Sequence, residues 1–409
     1  MFDYSVVVLG GGPAGLSAAI AAADNSAKTL LIEREARFGG ILKQCIHDGF
    51  GLLNFGERLT GPEYANRYIQ LFLKRNIDYK LSTFVNSAQK IEDGVALILQ
   101  SSEGMIRVTT KTLVIACGCR ERTSRQVFIH GDRPAGIYSA GTAQYFVNIL
   151  GAMPTKKCII LGSGDIGLIM ARRLTLEGAE VLGVYEVKAD PSGLTRNVVQ
   201  CLDDFHIPLH LSKTVTRVIG KDRVRGVEIA SVDANFAPIV GTEEMLECDA
   251  VILSVGLIPE NELAENLNIK IDNATKGAIV DETLMTSVAG VFSCGNALHV
   301  NDLVDYVSQS GAIAGENAAK YSHQKQGTNE VIYPKGKFLY VLPQRVKDGG
   351  NAEFYFRSHV TVKNAVVTVK QNGKALFQKR YAHLIPSEME CIKLSFDKGE
   401  LEFDMEVLG

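Results

Sequence analysis

Residues 5–33 read SVVVLGGGPAGLSAAIAAADNSAKTLLIE. The apolar run Val6–Leu9 has the composition of a strand buried on both faces. It runs into Gly10, Gly12 and Gly15, spaced G-x-G-x-x-G, with Pro13 and Ala14 between the last two. A helix of small residues follows, then a second apolar run, Thr29 to Ile32, ending on Glu33. Each part has a physical task. Gly10 permits a tight turn, Gly12 leaves the backbone open to a pyrophosphate, and Gly15 lets the helix lie close on the strand. The helix start aims unpaired N–H groups and a partial positive charge at phosphate. Glu33, about 20 residues on, can accept hydrogen bonds from a ribose. A glycine turn with no ligand is the bland alternative, and the framing by two strands and an acid argues against it.

The same order returns at residues 158–186, CIILGSGDIGLIMARRLTLEGAEVLGVYE. Gly162, Gly164 and Gly167 carry the turn, Asp165 and Ile166 open the helix, and Glu186 ends the second strand. The chain therefore holds two copies of a dinucleotide-binding unit. No Arg stands beside Glu186, although Lys188 is two residues on. A carboxylate there accepts from a free 2′-hydroxyl and repels a 2′-phosphate, which favours NAD over NADP.

Composition bounds the rest. The chain has 409 residues, enough for two or three domains. Its 46% hydrophobic and 22% charged residues are those of a globular protein, and a net charge of −3 argues against a general nucleic-acid role. No apolar stretch reaches the ~18 residues of a membrane span, and Met1 runs into the first strand without a secretory pattern. A cytoplasmic protein is expected, reaching a membrane only through a partner. The eight cysteines form no C-x-x-C and no Cys/His cluster with zinc spacing, so no metal site is expected.

Beyond Glu33, Gly39-Gly40 would let the backbone pass close to a flat cofactor. Residues 61–76 carry a helical pattern, with Tyr64, Tyr68, Leu71 and Phe72 on one face. Val95–Gln100 and Met105–Thr110 flank SSEG as a hairpin, and Leu113–Ala116 reads as a further buried strand. DAVILSVG, from Asp249, closes the second unit; the segment 301–321 reads as a helix beginning near Asn301 or Asp302. From Tyr333 the pattern alternates. Asn372-Gly373 marks a hairpin and another turn lies at Asp397–Gly399, so 333–409 reads as a small all-β domain.

These motifs resemble the flavoproteins with two dinucleotide-binding domains, the wider family of glutathione reductase and thioredoxin reductase, over roughly residues 1–325. The resemblance implies an α/β fold of two Rossmann-like domains. Residues 1–120 and 260–328 would bind FAD, 121–154 would connect, and 155–259 would bind NAD(H). GVFSCGN, at Gly290–Asn296, resembles the late FAD motif, with Asn296 where Asp is usual. On this likeness FAD would lie against Gly10, Gly12, Pro13, Ala14, Gly15, Glu33, Arg34, Gly40, Ile41, Val85, Ala116, Gly118, Gly295, Asn296 and Asp302. The nicotinamide nucleotide would lie against Gly162, Gly164, Asp165, Ile166, Gly167, Glu186 and Gly256. The helix near Asp302 would point its positive end at the flavin.

The positions where disulfide reductases of this family carry their redox cysteines hold Leu42 and His47, which disfavours disulfide reduction. Cys45 and His47 are the candidate reactive groups; the bland readings are a small buried thiol and a satisfied structural histidine. Arg133, in GDRP, is a solvated loop arginine or a phosphate partner.

GGILKQCIHDGFG, LTGPEYA, GDRPAGIYSAG, LTRNVVQCLDDFHIPL and CGNALHVNDLVDYVSQSG more narrowly resemble the flavoprotein found with a bacterial FAD-dependent glycerol-3-phosphate dehydrogenase and a small cysteine-containing redox protein. More distantly they resemble subunits of sarcosine oxidase, opine and proline dehydrogenases and hydrogen cyanide synthase. What this implies is an electron-transfer subunit of a hetero-oligomer in glycerol-3-phosphate metabolism, working with those two partners. The alternatives are a subunit of an amine or amino-acid dehydrogenase, a free-standing NADH oxidase or dehydrogenase, and a flavin-dependent scaffold or redox sensor.

Overall fold

A computed structural model describes residues 2–322, 330–347 and 349–408. It divides into two compact units, 1–119 with 259–409, and 120–258.

In the first unit the strand Tyr4–Leu9 pairs in parallel with Thr29–Ile32 on one side and with the far half of Gly104–Ile115 on the other. Asp78–Lys80 extends the sheet beyond Thr29–Ile32, and Val291–Ser293 joins Gly104–Ile115 in parallel. The near half of Gly104–Ile115 instead takes Gly94–Ser101 antiparallel, followed by Phe84–Ile91. The expected hairpin and the expected strand at Leu113 are thus one 12-residue strand that changes neighbours midway. The helix Gly61–Leu73 begins at Thr60, whose hydroxyl and Glu63 form a reciprocal cap.

The helix Val304–Lys320 lies along the first helix, Pro13–Asp24, at close approach. A Cβ on Gly311 would fall 2.2 Å from the carbonyl oxygen of Ala14, and one on Gly315 2.0 Å from that of Ala18. Two glycines one helical turn apart therefore fix that crossing. This helix starts at Val304, later than Asn301 or Asp302, because Leu303 is still extended and the Asp302 side chain is held elsewhere.

The second unit has a five-stranded parallel sheet ordered Ile137–Ser139, Ala250–Leu253, Lys157–Leu161, Glu180–Glu186, Leu209–Leu211. Residues 121–154, read in the sequence as a connection, fold into this unit. Ile137–Ser139 forms its sheet edge, and His130–Gly131 pairs in parallel with Lys213–Ile219.

The C-terminal segment is all-β, with its own core. One sheet contains Val362–Gln371, Lys374–Leu384 and Leu401–Val407; the other contains Phe338–Leu342, Gly350–Ser358 and Glu390–Phe396. Phe354, Phe356 and Ile392 from one sheet meet Val367, Val369 and Phe403 from the other. The Asn372-Gly373 turn joins two paired strands. The Asp397–Gly399 turn instead carries the chain from one sheet to the other. Tyr340, Leu342, Tyr355 and Met389 leave this core and join that of the first unit.

Candidate functional site: two glycine cradles

In the first turn a Cβ on Gly10 would fall 2.4 Å from the carbonyl oxygen of Ala116, and one on Gly15 would fall 1.8 Å from that of Gly10. Both glycines are required by close backbone approach. Gly12 differs: its Cβ would meet only Gly40 Cα, at 3.8 Å. Gly12 is the helix N-cap and no side chain caps this helix; Pro13 starts it with its preset φ. The first-turn N–H groups thus face open space beside Gly12, a cradle that added side chains would fill.

Two more segments converge there. A Cβ on Gly40 would come 3.1 Å from Gly12 Cα, and one on Gly295 2.7 Å from Ala14 Cβ. Glu33 is buried, its Oε2 accepting from Gly11 N–H at 2.7 Å and its Oε1 from Glu35 N–H at 2.8 Å. Asn296 accepts from Asn301 N–H at 3.1 Å, and its amide donates to Cys119 Sγ at 3.6 Å. Ala116 is buried; Gly118 has φ +75° and open space at its Cβ position. Arg34 and Ile41 are exposed. Val85, on Phe84–Ile91, packs against the core.

Asp302 requires a correction. Its carboxylate accepts from Arg357 and, at 2.7 Å, from Met389 N–H, both in the C-terminal sandwich. It is committed to domain packing and does not stand at a helix start. Arg357 also donates to Tyr340 Oη at 3.1 Å, and Tyr340 reaches His299 Nδ1 at 3.4 Å. His299 is buried, and desolvation with the nearby Arg357 charge pushes it down to about 3. The sequence reading missed this latch of His299, Asp302, Tyr340 and Arg357. Only His299's place three residues after Gly295-Asn296 hinted at it.

The second cradle has the same construction. A Cβ on Gly162 would fall 2.0 Å from the carbonyl oxygen of Ser254, and one on Gly167 2.5 Å from that of Gly162; one on Gly164 would meet only Ser254 Oγ, at 3.6 Å. Glu186 is buried, with Oε2 accepting from Ser163 N–H at 3.0 Å and Oγ–H at 2.5 Å, and Oε1 accepting from Lys188 N–H at 3.1 Å. Asp165 opens the helix Asp165–Leu176. Its carboxylate accepts from Leu194 N–H at 2.9 Å and from the Asn197 amide at 2.7 Å. Ile166 packs on the core below. The Gly256 carbonyl accepts from Arg122 N–H at 3.0 Å.

Of the candidate reactive groups, Cys45 is buried and donates to the Ile41 carbonyl at 3.4 Å. Desolvation pushes its thiol up to about 12, so it stays protonated at neutral pH. The His47 ring lies beside Phe50, its Nδ1 is 3.3 Å from the Asp48 carbonyl, and its Nε2 is buried without a partner among the described residues. All eight cysteines are free. Among the described residues no group of His, Cys, Asp or Glu could hold a metal ion, and no helix is long and apolar enough to cross a membrane.

Open glycine turns, uncapped helix starts and buried strand-end carboxylates, twice on one chain, supply the N–H donors and carboxylate acceptors that dinucleotides need. They define a protein with two dinucleotide-binding cradles. The sequence profile of the pyridine nucleotide-disulphide oxidoreductases matches residues 4–311, and the chain belongs to that family, whose members bind FAD and NAD(P)H. It is similar to hydrogen cyanide synthase subunit HcnB of Pseudomonas protegens, with 24% identity over 77% of this chain and 68% of the relative. It is also similar to an opine oxidase subunit of Agrobacterium tumefaciens, with 25% identity over 77% of this chain; the match spans 64% of that relative's length. Thioredoxin reductase of Lactococcus lactis shares the fold with a TM-score of 0.64, 22% identity, and coverage of 78% of this chain and 98% of that one.

Proposed function

We propose that the protein is an FAD-containing, NADH-linked oxidoreductase that exchanges electrons with a partner redox protein rather than with a dithiol of its own. The observation that carries this is the pairing of two like cradles with different surroundings. The first gathers Gly40 and Gly295 around its open face, and the second is bordered by Asp165 and the segment 192–197. We assign FAD to the first and NAD(H) to the second. Bound there, flavin and nicotinamide supply hydride transfer, and the chain supplies binding and orientation. Gly12 and Gly164 leave room for pyrophosphate, and Glu33 and Glu186 present carboxylate oxygens to ribose. Glu186 is braced by Ser163 and Lys188 N–H, and its charge favours NADH over NADPH.

The absence of a redox disulfide is part of the proposal. Its support is the Leu42 and His47 identities at the dithiol positions and the protonated, packed state of Cys45. His47, with a buried unpartnered Nε2, is the remaining candidate for proton handling.

Electrons must then leave to an external acceptor. The motif likeness selects a FAD-dependent glycerol-3-phosphate dehydrogenase and a small cysteine-containing protein, in a cytoplasmic hetero-oligomer. Co-expression with both, size exclusion and a glycerol-3-phosphate-dependent NADH assay test this. Co-elution and coupled turnover are expected. Separate elution, with full-rate NADH turnover by this chain and a small acceptor, would replace the complex with a free-standing NADH dehydrogenase. A second reading, a subunit of an amine or amino-acid dehydrogenase, is favoured by the two relatives whose names call them subunits.

A further inference from the structure

The second unit contains a cavity of about 270 Å³ that shares no residue with the glycine turn 162–167 or with Glu186. Arg125, His130 and Arg133 line it, with Ser124 and Phe128 alongside. Its walls are firmly built. The turn Ser124–Val127 is held by a reciprocal cap between Thr123 and Gln126. His130 and Gly131 are paired to Arg217 and Val218. Gly131 is locked in place, since a Cβ there would fall 2.2 Å from the Val218 carbonyl oxygen. Phe128 is held at φ +59°, a backbone region bulky residues avoid, with 79% of its surface exposed beside the cavity.

The charge is unbalanced. Asp132 is the one acid of the lining, and its carboxylate accepts from Gly220 N–H at 3.0 Å. Neither the Arg125 nor the Arg133 guanidinium has an ion-pair or hydrogen-bond partner among the described residues. Two arginines with no ion-pair partner and a histidine lining one space suit a compact oxyanion better than a neutral ligand.

We propose that this cavity binds a small phosphate monoester. The phosphate takes the Arg125 and Arg133 forks with Ser124 and His130, and the organic part lies against Phe128. The volume, just below the ~300–1,000 Å³ of small-molecule pockets, limits that part to about the size of one phenyl ring. This inference is independent of the electron-transfer reading, because phosphate binding is read directly and no electron transfer is measured.

The test is calorimetry on the flavin-loaded protein with saturating NAD, titrating inorganic phosphate and phenyl phosphate. Saturable binding is expected, tighter for phenyl phosphate. Arg125→Ala/Arg133→Ala should weaken it at least about tenfold, the scale of losing charge-assisted hydrogen bonds. Lys374→Ala, at an exposed hairpin position, should leave it unchanged. All of these substitutions are at exposed side chains, and circular dichroism with an unchanged unfolding midpoint verifies folding. Binding unaffected by the double substitution, or no saturable binding, overturns the proposal. Tighter binding of citrate or polyglutamate than of phenyl phosphate also overturns it and makes the cavity a docking point for carboxylates.

Discussion

In both glycine cradles the strand before the turn has two parallel neighbours, Thr29–Ile32 and Gly104–Ile115 in the first and Glu180–Glu186 and Ala250–Leu253 in the second, and the glycines divide their labour alike. In each, the first and third glycines are forced by backbone approach and the second faces open space. In each, the strand-end glutamate holds the N–H of the turn's first intervening residue, Gly11 or Ser163. They differ in their borders. Around the first cradle stand uncharged glycines brought from distant segments, Gly40 and Gly295. The second is bordered by its own unit, with Asp165 and Ser163 tying down 192–194. The lesson is that one turn chemistry serves two nucleotides, and what distinguishes them lies outside the turn.

The comparison can be broken hardest at Gly15. Gly15→Ala must push the helix off the strand at a cost of about 3 kcal/mol, read as loss of soluble protein or a sharply lowered Tm. Gly12→Val and Gly164→Val test the open positions. Both should fold, because a Cβ at either meets nothing within 3.5 Å. Gly12→Val should be colourless even after reconstitution with FAD. Gly164→Val should stay yellow but bind NADH at least about 100-fold more weakly, the scale of displacing several phosphate contacts.

The latch beside the first cradle predicts a pH effect. His299 is lowered in the folded state to about 3, whereas the unfolded chain binds its proton near 6.5. Between those values the unfolded state holds more protons, so stability falls as pH falls. About 2 kcal/mol should be lost between pH 7.5 and pH 5 from this group. Denaturant unfolding at the two pH values should show that slope, and His299→Phe should flatten it. At the smallest scale, Glu186→Gln should narrow the NADH-over-NADPH preference about tenfold, as one charge-assisted hydrogen bond and one repulsion are lost. Glu33→Gln should leave that preference unchanged.

Both cradles were legible because their information is local: glycine spacing, flanking strands and an acid within one continuous stretch of each unit. The alternating strands after Tyr333 were legible for the same reason. Asp302 was misread because its partners, Arg357 and Met389, lie 55 and 87 residues away, and no local pattern encodes that pairing. The Asp397–Gly399 turn looks alike in sequence whether the strands it joins pair or part. Ile137–Ser139 is three residues long, too short for periodicity to reveal as a sheet strand. Arg133 drew notice alone; the cavity needed Arg125 and His130, which only the fold brings beside it.

We propose that a flavin in the first cradle exchanges electrons with NADH held by the second. Anaerobic mixing of the FAD-loaded protein with NADH, then with NADPH, tests it directly through the flavin absorbance. The account predicts bleaching by NADH that half-saturates at lower concentration than with NADPH, retained in Cys45→Ser and lost in Gly164→Val. A flavin that stays oxidised under NADH, or that NADPH bleaches as readily, would contradict it.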